Sequence, residues 1–412
     1  MKSNLTLAAL LESSDPKRLG ERLQLARKAK GFTQEAVASK LGVARTTLVA
    51  IEKGERRVTE SELHVLADHF DKEIVDFVNP HAPSADLLVQ FRSLLQKRLF
   101  PTSETDHLEI ATQELQLCAE RAVELELLTG RGLKPRYPRP RDIDSGLGLE
   151  QEADAAAEED RQRLGLGDGP IHDLRGVLED QVGLRIFFFK MHSKIAGLFG
   201  YAKELGGCIA INSQHRRERQ SMSLAHEYGH VVDCLERPDI QVQQDSGRKS
   251  DPEKFAELFG VRFLMPTAGV KRQIRTYLQS QGNSNKLGPR DLVILASDYR
   301  VSFEAYVKRL EELRILSGGY YDRLMMENFR PDEAKKILGL LMLESDTQKL
   351  PRRHRLLALE AYQKELLSLD ELARFLDSDL LATQTLVEQY REYFQTTVST
   401  NKINWDASIK LQ

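Results

Sequence analysis

The residue types and spacing of His226, Glu227 and His230 point to metal chemistry. They lie in the run Ser223-Leu-Ala-His-Glu-Tyr-Gly-His-Val-Val232, which has the form H-E-x-x-H. On a helix, residues one turn apart project from the same face. Two neutral imidazoles so placed can grip a Zn²⁺ ion, which in a catalytic site takes three protein ligands and keeps one position for water. Glu227 falls about 100° round the helix, beside the ion rather than on it. There its carboxylate can take a proton from the water at the metal, which becomes the nucleophile that attacks a carbonyl. One Zn²⁺ per chain is the expected cofactor, with another divalent ion such as Mn²⁺ as the alternative. A buried helix with two satisfied histidines could carry the same letters. Here Leu224, Ala225, Val231 and Val232 make the run apolar, as the floor of a cleft requires, and Ser221 or Ser223 is the expected cap.

The third ligand must come from another element. The next strong helix runs from Asp251 to Pro266, opened by Asp251-Pro252 and stopped by Pro266. Phe255, Leu258, Phe259, Arg262 and Phe263 recur at i, i+3, i+4 spacing and bury one face. Glu253 lies in its first turn, where a helix end can present a carboxylate to a cleft. Glu257 and Asp251 are rivals. Cys234 extends the His226/His230 stripe by a further turn, but stripe drift along a straight helix makes it a core residue instead.

His226-Glu-Tyr-Gly-His230 followed by Glu253-Lys-Phe-Ala256 and Phe263-Leu-Met-Pro266 resembles the ImmA/IrrE metallopeptidases over about 171–317. The resemblance implies zinc ligands at His226, His230 and Glu253, and Glu227 as general base. It also implies a protein substrate, a transcriptional repressor cut on a stress or mobile-element signal. Glu257 and Gly260 depart from the common pattern, which has Asn or Asp and Ala there; neither touches the proposed ligands.

The elements that must position these groups follow from periodicity. Leu184–Lys190, Ile195–Tyr201 and Cys208–Asn212 read as strands, the last two joined by a turn at Leu205-Gly206-Gly207. A small sheet running straight into the H-E-x-x-H helix is a zincin-like α+β arrangement, and its edge strand can take an extended substrate by strand addition. Helices are expected at Ile171–Gln181 and from Glu150 to Asp160, and Ser302 is expected to cap a helix after Val301. Tyr201, Tyr228, His192 and His215 are possible oxyanion donors. Pro331 to Phe394 is helical in period, and residues after Thr397 read as a frayed tail.

A second chemistry sits near the start of the sequence. Thr33–Leu41 and about Ala44–Glu52 read as two short helices broken at Gly42, the geometry of a helix-turn-helix. Phe32-Thr-Gln-Glu-Ala-Val-Ala-Ser-Lys-Leu-Gly-Val43 through Ile51-Glu-Lys-Gly-Glu-Arg-Arg57 resembles the XRE, or lambda-repressor-like, family over about 19–70. That resemblance implies a second helix of the pair in the major groove. Arg45, Thr46, Thr47 and Val49 would approach bases, Ala44 would stand at the groove-facing start, and Gln34, Lys53, Arg56 and Arg57 would hold phosphates. Ala44 replaces the Ser often found there and removes a possible hydrogen bond. The implied partner is a double-stranded DNA operator, read by a homodimer.

The 412 residues are 41% hydrophobic and 29% charged, enough for two or three cores, and the net charge of −3 confines any nucleic-acid binding to a local patch. Cys118, Cys208 and Cys234 form no C-x-x-C, which fits a reducing cytoplasm. Met1–Leu11 lacks a signal-peptide cleavage site, and no apolar run is long enough to span a membrane. The expected fold is mainly α with a small β-sheet. It comprises an all-α helix-turn-helix domain over 15–80, a helical connector over 84–130 and a linker over 131–149. A zincin-like metallopeptidase domain over 150–318 follows, then a helical C-terminal region over 319–412 for sensing, dimerisation or docking. Two functions are compatible with this layout: a DNA-tethered zinc endopeptidase, or a repressor whose zinc domain is a sensor or scaffold without turnover.

Overall fold

The computed structural model describes residues 11, 16–70, 74, 77, 102–139, 141, 148–235, 239–242, 250–282 and 286–392. The first part of the expected connector, most of 140–147 and the tail after Thr397 lie outside the described residues.

Among the described residues the head contains the helices α1 (Pro16–Ala29), α2 (Gln34–Leu41), α3 (Arg45–Glu52) and α4 (Glu60–Phe70). Thr33 caps α2, its Oγ1 accepting from the Ala36 N–H at 3.1 Å. Gly42 then turns the chain at φ +70°, a left-handed conformation that glycine adopts without Cβ strain. Ala44 opens α3 with no side-chain cap, as its methyl group must. Leu23, Val37, Leu48, Ile51, Leu63 and Phe70 close the core of the head.

The sheet has four strands: β1 (Arg185–Phe189), β2 (Ile195–Ala202), β3 (Gly206–Asn212) and β4 (Asp239–Val242) in the order β1-β3-β2-β4. β1 runs parallel to β3; β2 runs antiparallel to both β3 and β4. Every β1 residue is buried because both faces are covered. Ile186 and Phe188 face one core, Phe187 and Phe189 the other.

One cover is helix α5 (Thr102–Thr129), whose Leu108, Leu115, Cys118 and Ala122 pack on Phe187, Leu198 and Ala210. The other contains α6 (Leu149–Arg163), the short α7 (Leu174–Val177), α8 (Arg217–Asp233) and α9 (Asp251–Leu264). α10 (Thr267–Ser280), α11 (Pro289–Asp298), α12 (Phe303–Glu312), α13 (Tyr320–Met326) and α14 (Pro331–Ile337) follow. Ser302 caps α12, accepting from Ala305 N–H at 3.1 Å. α15 (Arg352–Gln363), α16 (Leu369–Leu376) and α17 (Leu380–Arg391) form a last core that includes Leu125 of α5.

Several local expectations need correction. Gly206 and Gly207 belong to β3, where Gly207 N–H donates to the Tyr137 hydroxyl at 2.7 Å, and the turn falls two residues earlier, over 203–205. The helix expected over 171–181 is α only from Leu174 to Val177 and continues as a π-helical turn over Leu178–Val182. The helical run from Pro331 is interrupted after Ile337. Residues 346–349 are instead drawn onto the β1 edge, where Phe188 N–H donates to Lys349 C=O at 3.0 Å and Arg175 to Gln348 C=O at 2.7 Å. The stretch read as a linker is tied down: Arg136 N–H bonds Val182 C=O at 2.8 Å and Tyr137 stands edge-on against Tyr201.

Candidate metal centre and DNA-reading head

The metal helix α8 begins earlier than its serines suggest. It starts at Arg217 behind Arg216, so Ser221 and Ser223 are interior residues and not caps. Gln220 explains the extension: its amide donates to the carbonyls of Asn212, Ser213 and Asp346 at 3.1–3.3 Å, fastening the first turns to the end of β3. From Ser223 to Asp233 α8 is buried on all sides.

Helix α9 crosses α8 very closely. A Cβ on Gly229 would lie 2.8 Å from the Ala256 Cα, and one on Gly260 would lie 3.1 Å from the His226 backbone nitrogen. This approach carries the first turn of α9 over the histidine stripe. Tyr228 anchors α8 from behind, donating to Asp160 and accepting from Arg163 at 2.8 Å, while Arg163 also donates to Asp160 at 2.6 Å. Burial, with Asp160 next, holds the Tyr228 hydroxyl well above its ordinary pKa, so it remains a donor.

The result is a triangle of ligand atoms. His226 Nε2 lies 3.2 Å from His230 Nε2 and 3.4 Å from Glu253 Oε1, and His230 Nε2 lies 3.5 Å from Glu253 Oε2. Donors at about 2.0–2.1 Å from a tetrahedral Zn²⁺ stand about 3.3 Å apart, so the donor set fits that ion. Burial by itself would push the Glu253 carboxyl up, but the two imidazoles hold it well below the usual carboxylate range. Among the described residues this is the one cluster of His, Cys, Asp and Glu with metal-site spacing. Cys234 lies past the end of α8 in extended conformation and takes no part.

Glu227 is fully buried and faces β2. A Cβ on Gly197 would sit 2.5 Å from its Oε1, so only glycine leaves room for the carboxylate. The β2–β4 register shifts between Ile195 and Gly197 at this point. Gly197 was not foreseen; the signal available was a glycine inside a strand, which often marks a close approach.

The other oxyanion candidates are engaged elsewhere. His215 contacts Ser193 C=O at 3.1 Å, His192 stacks on His107, Tyr201 packs on Tyr137, and Tyr228 belongs to the anchor behind α8.

In the head, Ala44, Arg45, Thr46, Lys53 and Arg57 are exposed, and Gln34, Thr47, Val49 and Arg56 are half-buried. Three of the expected phosphate contacts already have partners. Gln34 donates to Glu52 at 2.9 Å and accepts from Arg45 at 3.3 Å; Arg56 grips Glu62 with two bonds of 3.1 and 2.9 Å. Arg57 donates to Leu11 C=O at 3.2 Å. Behind α3, the buried Arg27–Glu52 pair at 2.6 Å locks α3 to α1.

Two family models match the chain. Residues 179–311 match the IrrE N-terminal-like domain of the M78 peptidases, and residues 23–77 match a helix-turn-helix family. The chain joins an IrrE-like peptidase domain to an XRE-type helix-turn-helix. A search of curated proteins returns no match. Among solved structures, ComR from Streptococcus suis is returned at 12% identity, covering 93% of this chain and 96% of that one, with a TM-score of 0.16. The IrrE-like match contains His226, Glu227, His230 and Glu253 together with all four strands. No helix among the described residues is long and apolar enough to cross a membrane.

Proposed function

We propose that this chain is a zinc-dependent endopeptidase tethered to its own DNA-reading head. It would act in the cytoplasm on a repressor or antitoxin-like partner, in stress, phage-defence or mobile-element control. The observation that carries this reading is the triangle of His226, His230 and Glu253 with Glu227 beside it and Gly197 making room for the carboxylate. His226, His230 and Glu253 would hold the ion. When bound, zinc supplies Lewis acidity, polarising the scissile carbonyl and making water a nucleophile near neutral pH. Glu227 takes the proton of the attacking water on a carboxylate oxygen and delivers it to the departing amine nitrogen. Burial of Glu227 keeps bulk water from competing for that proton. In the head, Arg45, Thr46, Thr47 and Val49 would read bases from Ala44 onward, and Gln34, Lys53, Arg56 and Arg57 would hold phosphates of an operator shared by a homodimer. For Gln34 and Arg56 this requires exchanging Glu52 and Glu62 for phosphate.

The test is Glu227→Gln. The variant should retain one zinc per chain and lose cleavage of the cognate repressor by roughly 10²–10⁴-fold, followed by metal analysis and gel assay. Cleavage at the wild-type rate would leave the metal domain as a sensor or scaffold attached to a transcriptional repressor.

A further inference from the structure

The start of α8 is held from a distant part of the chain. Arg216 pairs with Asp332 at 2.6 Å, and Glu218 accepts from Lys335 at 2.9 Å. Arg217 pairs with the Asp346 carboxylate at 3.1 Å. Gln220 meets the backbone of the same residue both ways: its Oε1 accepts from Asp346 N–H at 2.8 Å, and its amide donates to Asp346 C=O at 3.1 Å. Arg216, Arg217, Glu218 and Gln220 thus all take partners from 332–346, outside the stretch 179–311 that matches the IrrE-like domain.

The grips differ in strength. The Arg216–Asp332 pair is open to solvent and contributes little. Lys335 is 5% exposed and Gln220 1%. A buried ion pair adds little net stability, since dehydration offsets the attraction, but it admits few geometries. The Gln220 amide is equally directional, because a slip of α8 would leave two backbone groups of Asp346 unpaired. The holding segment is itself fastened. Arg175 pairs with Asp346 at 3.2 Å and donates to Gln348 C=O at 2.7 Å, and Phe188 N–H of β1 donates to Lys349 C=O at 3.0 Å. Lys349 Nζ bonds Glu114 of α5 and Asp377 at the end of α16, and α15 begins at Arg352. The C-terminal helices are therefore strapped to the start of the metal helix.

His226 lies six residues beyond Gln220, about 9 Å along α8. Over that length a helix moves as a stiff rod, and a donor triangle with sides of 3.2–3.5 Å tolerates little displacement. We infer that Lys335 and Asp346 are positioning residues for the metal centre: they fix the pose of α8 from outside the IrrE-like match and make the hold on the ion depend on the C-terminal region. The inference rests on the reading of His226, His230 and Glu253 as metal ligands, and not on cleavage.

The experiment uses the full-length protein, loaded with Zn²⁺ or with Co²⁺ as a coloured probe. The variants are Lys335→Met and Asp346→Asn. The readouts are the rate of zinc transfer to a chromophoric chelator and the visible absorption of the cobalt form, with thermal melting as the control for folding. Both variants should release zinc roughly 2–30-fold faster and shift the cobalt bands, which report donor geometry. Lys336→Met, at the exposed neighbouring position, should change neither. Exchanging the pair, Lys335→Glu with Glu218→Lys, should bring the release rate back towards wild type. Lower melting temperatures with unchanged release and unchanged cobalt bands in the folded variants would mean a purely structural role and overturn the inference. If either variant does not fold, Arg217→Gln, which breaks one pair at a side chain 23% exposed, decides by the same two readouts. If wild type takes up neither ion, the metal reading falls and the inference with it. Uptake that is indifferent to every variant leaves the metal reading and sinks the inference alone.

Discussion

In the head, Arg45, Thr46 and Lys53 stand exposed in solvent, whereas His226, Glu227 and His230 are at most 5% exposed. A DNA reader works by meeting a surface that arrives later, so its contact groups stay hydrated and its fold supplies only a rigid mount. That mount is the buried Arg27–Glu52 pair and the left-handed Gly42 turn between α2 and α3. A metal centre works by convergence. Its groups must be brought within a few ångströms by elements far apart in sequence, and the surrounding fold must bear the cost of dehydrating them. The head therefore has its stability in one place and its function in another. In the IrrE-like domain the two coincide, since Gly229, Gly260 and Gly197 are each packed against the residues of the candidate metal centre or the helix that crosses it.

That contrast can be broken at four positions. Glu52→Ala should have the largest effect, about 3–5 kcal/mol of lost stability in the head, because Arg27 is left charged and buried. Separate melting of head and peptidase domain by calorimetry checks it; a shift in the peptidase transition would contradict the separation. Next, Glu253→Ala should weaken zinc binding by at least about 100-fold, an effect of the size seen when even outer partners of a metal are removed or larger. Competition with a chromophoric chelator measures it, and unchanged affinity would transfer the third-ligand role elsewhere. Gly197→Ala should keep zinc and fold but lower hydrolysis by roughly 10–100-fold, because the new methyl group displaces Glu227 from its proton-transfer position. Wild-type turnover there would detach β2 from the chemistry. The smallest effect is expected from Arg45→Ala, about tenfold in operator affinity and less on random duplex. Equal loss on both would make Arg45 a phosphate contact.

The two regions also differed in how far they could be read. In the head, the cap, the turn and the core positions of α2 and α3 follow one another closely in the sequence, so the Thr33 cap, the Gly42 turn and the apolar positions Leu48 and Ile51 were legible from local pattern. What was not legible is that Gln34 and Arg56 are engaged by Glu52 and Glu62, because neither pair follows from helix spacing. In the peptidase domain, three strands showed as apolar runs, but β4 did not: Asp-Ile-Gln-Val is too short to carry a period. The apolar stripe of α5 announced burial without saying against what, and the sheet face it covers lies about sixty or more residues away. Tyr137, in a stretch rich in Pro, Gly and Arg, gave no sign that it would hold the start of β3.

Residue type and spacing alone determined that two imidazoles share a helical face with a carboxylate beside them, and that a glycine-broken helix pair lies over about 33–52, since both depend only on the 3.6-residue period and on local backbone preference. The tertiary structure decided which of Asp251, Glu253 and Glu257 completes the triangle, because that depends on where α9 crosses α8 at Gly229 and Ala256. It also decided that β4 lies along the strand beside Glu227. Close approach and strand pairing are relations between distant segments, set by the volume left when side chains are absent and by which backbone edges remain unpaired, and neither quantity is written in any one stretch of the chain.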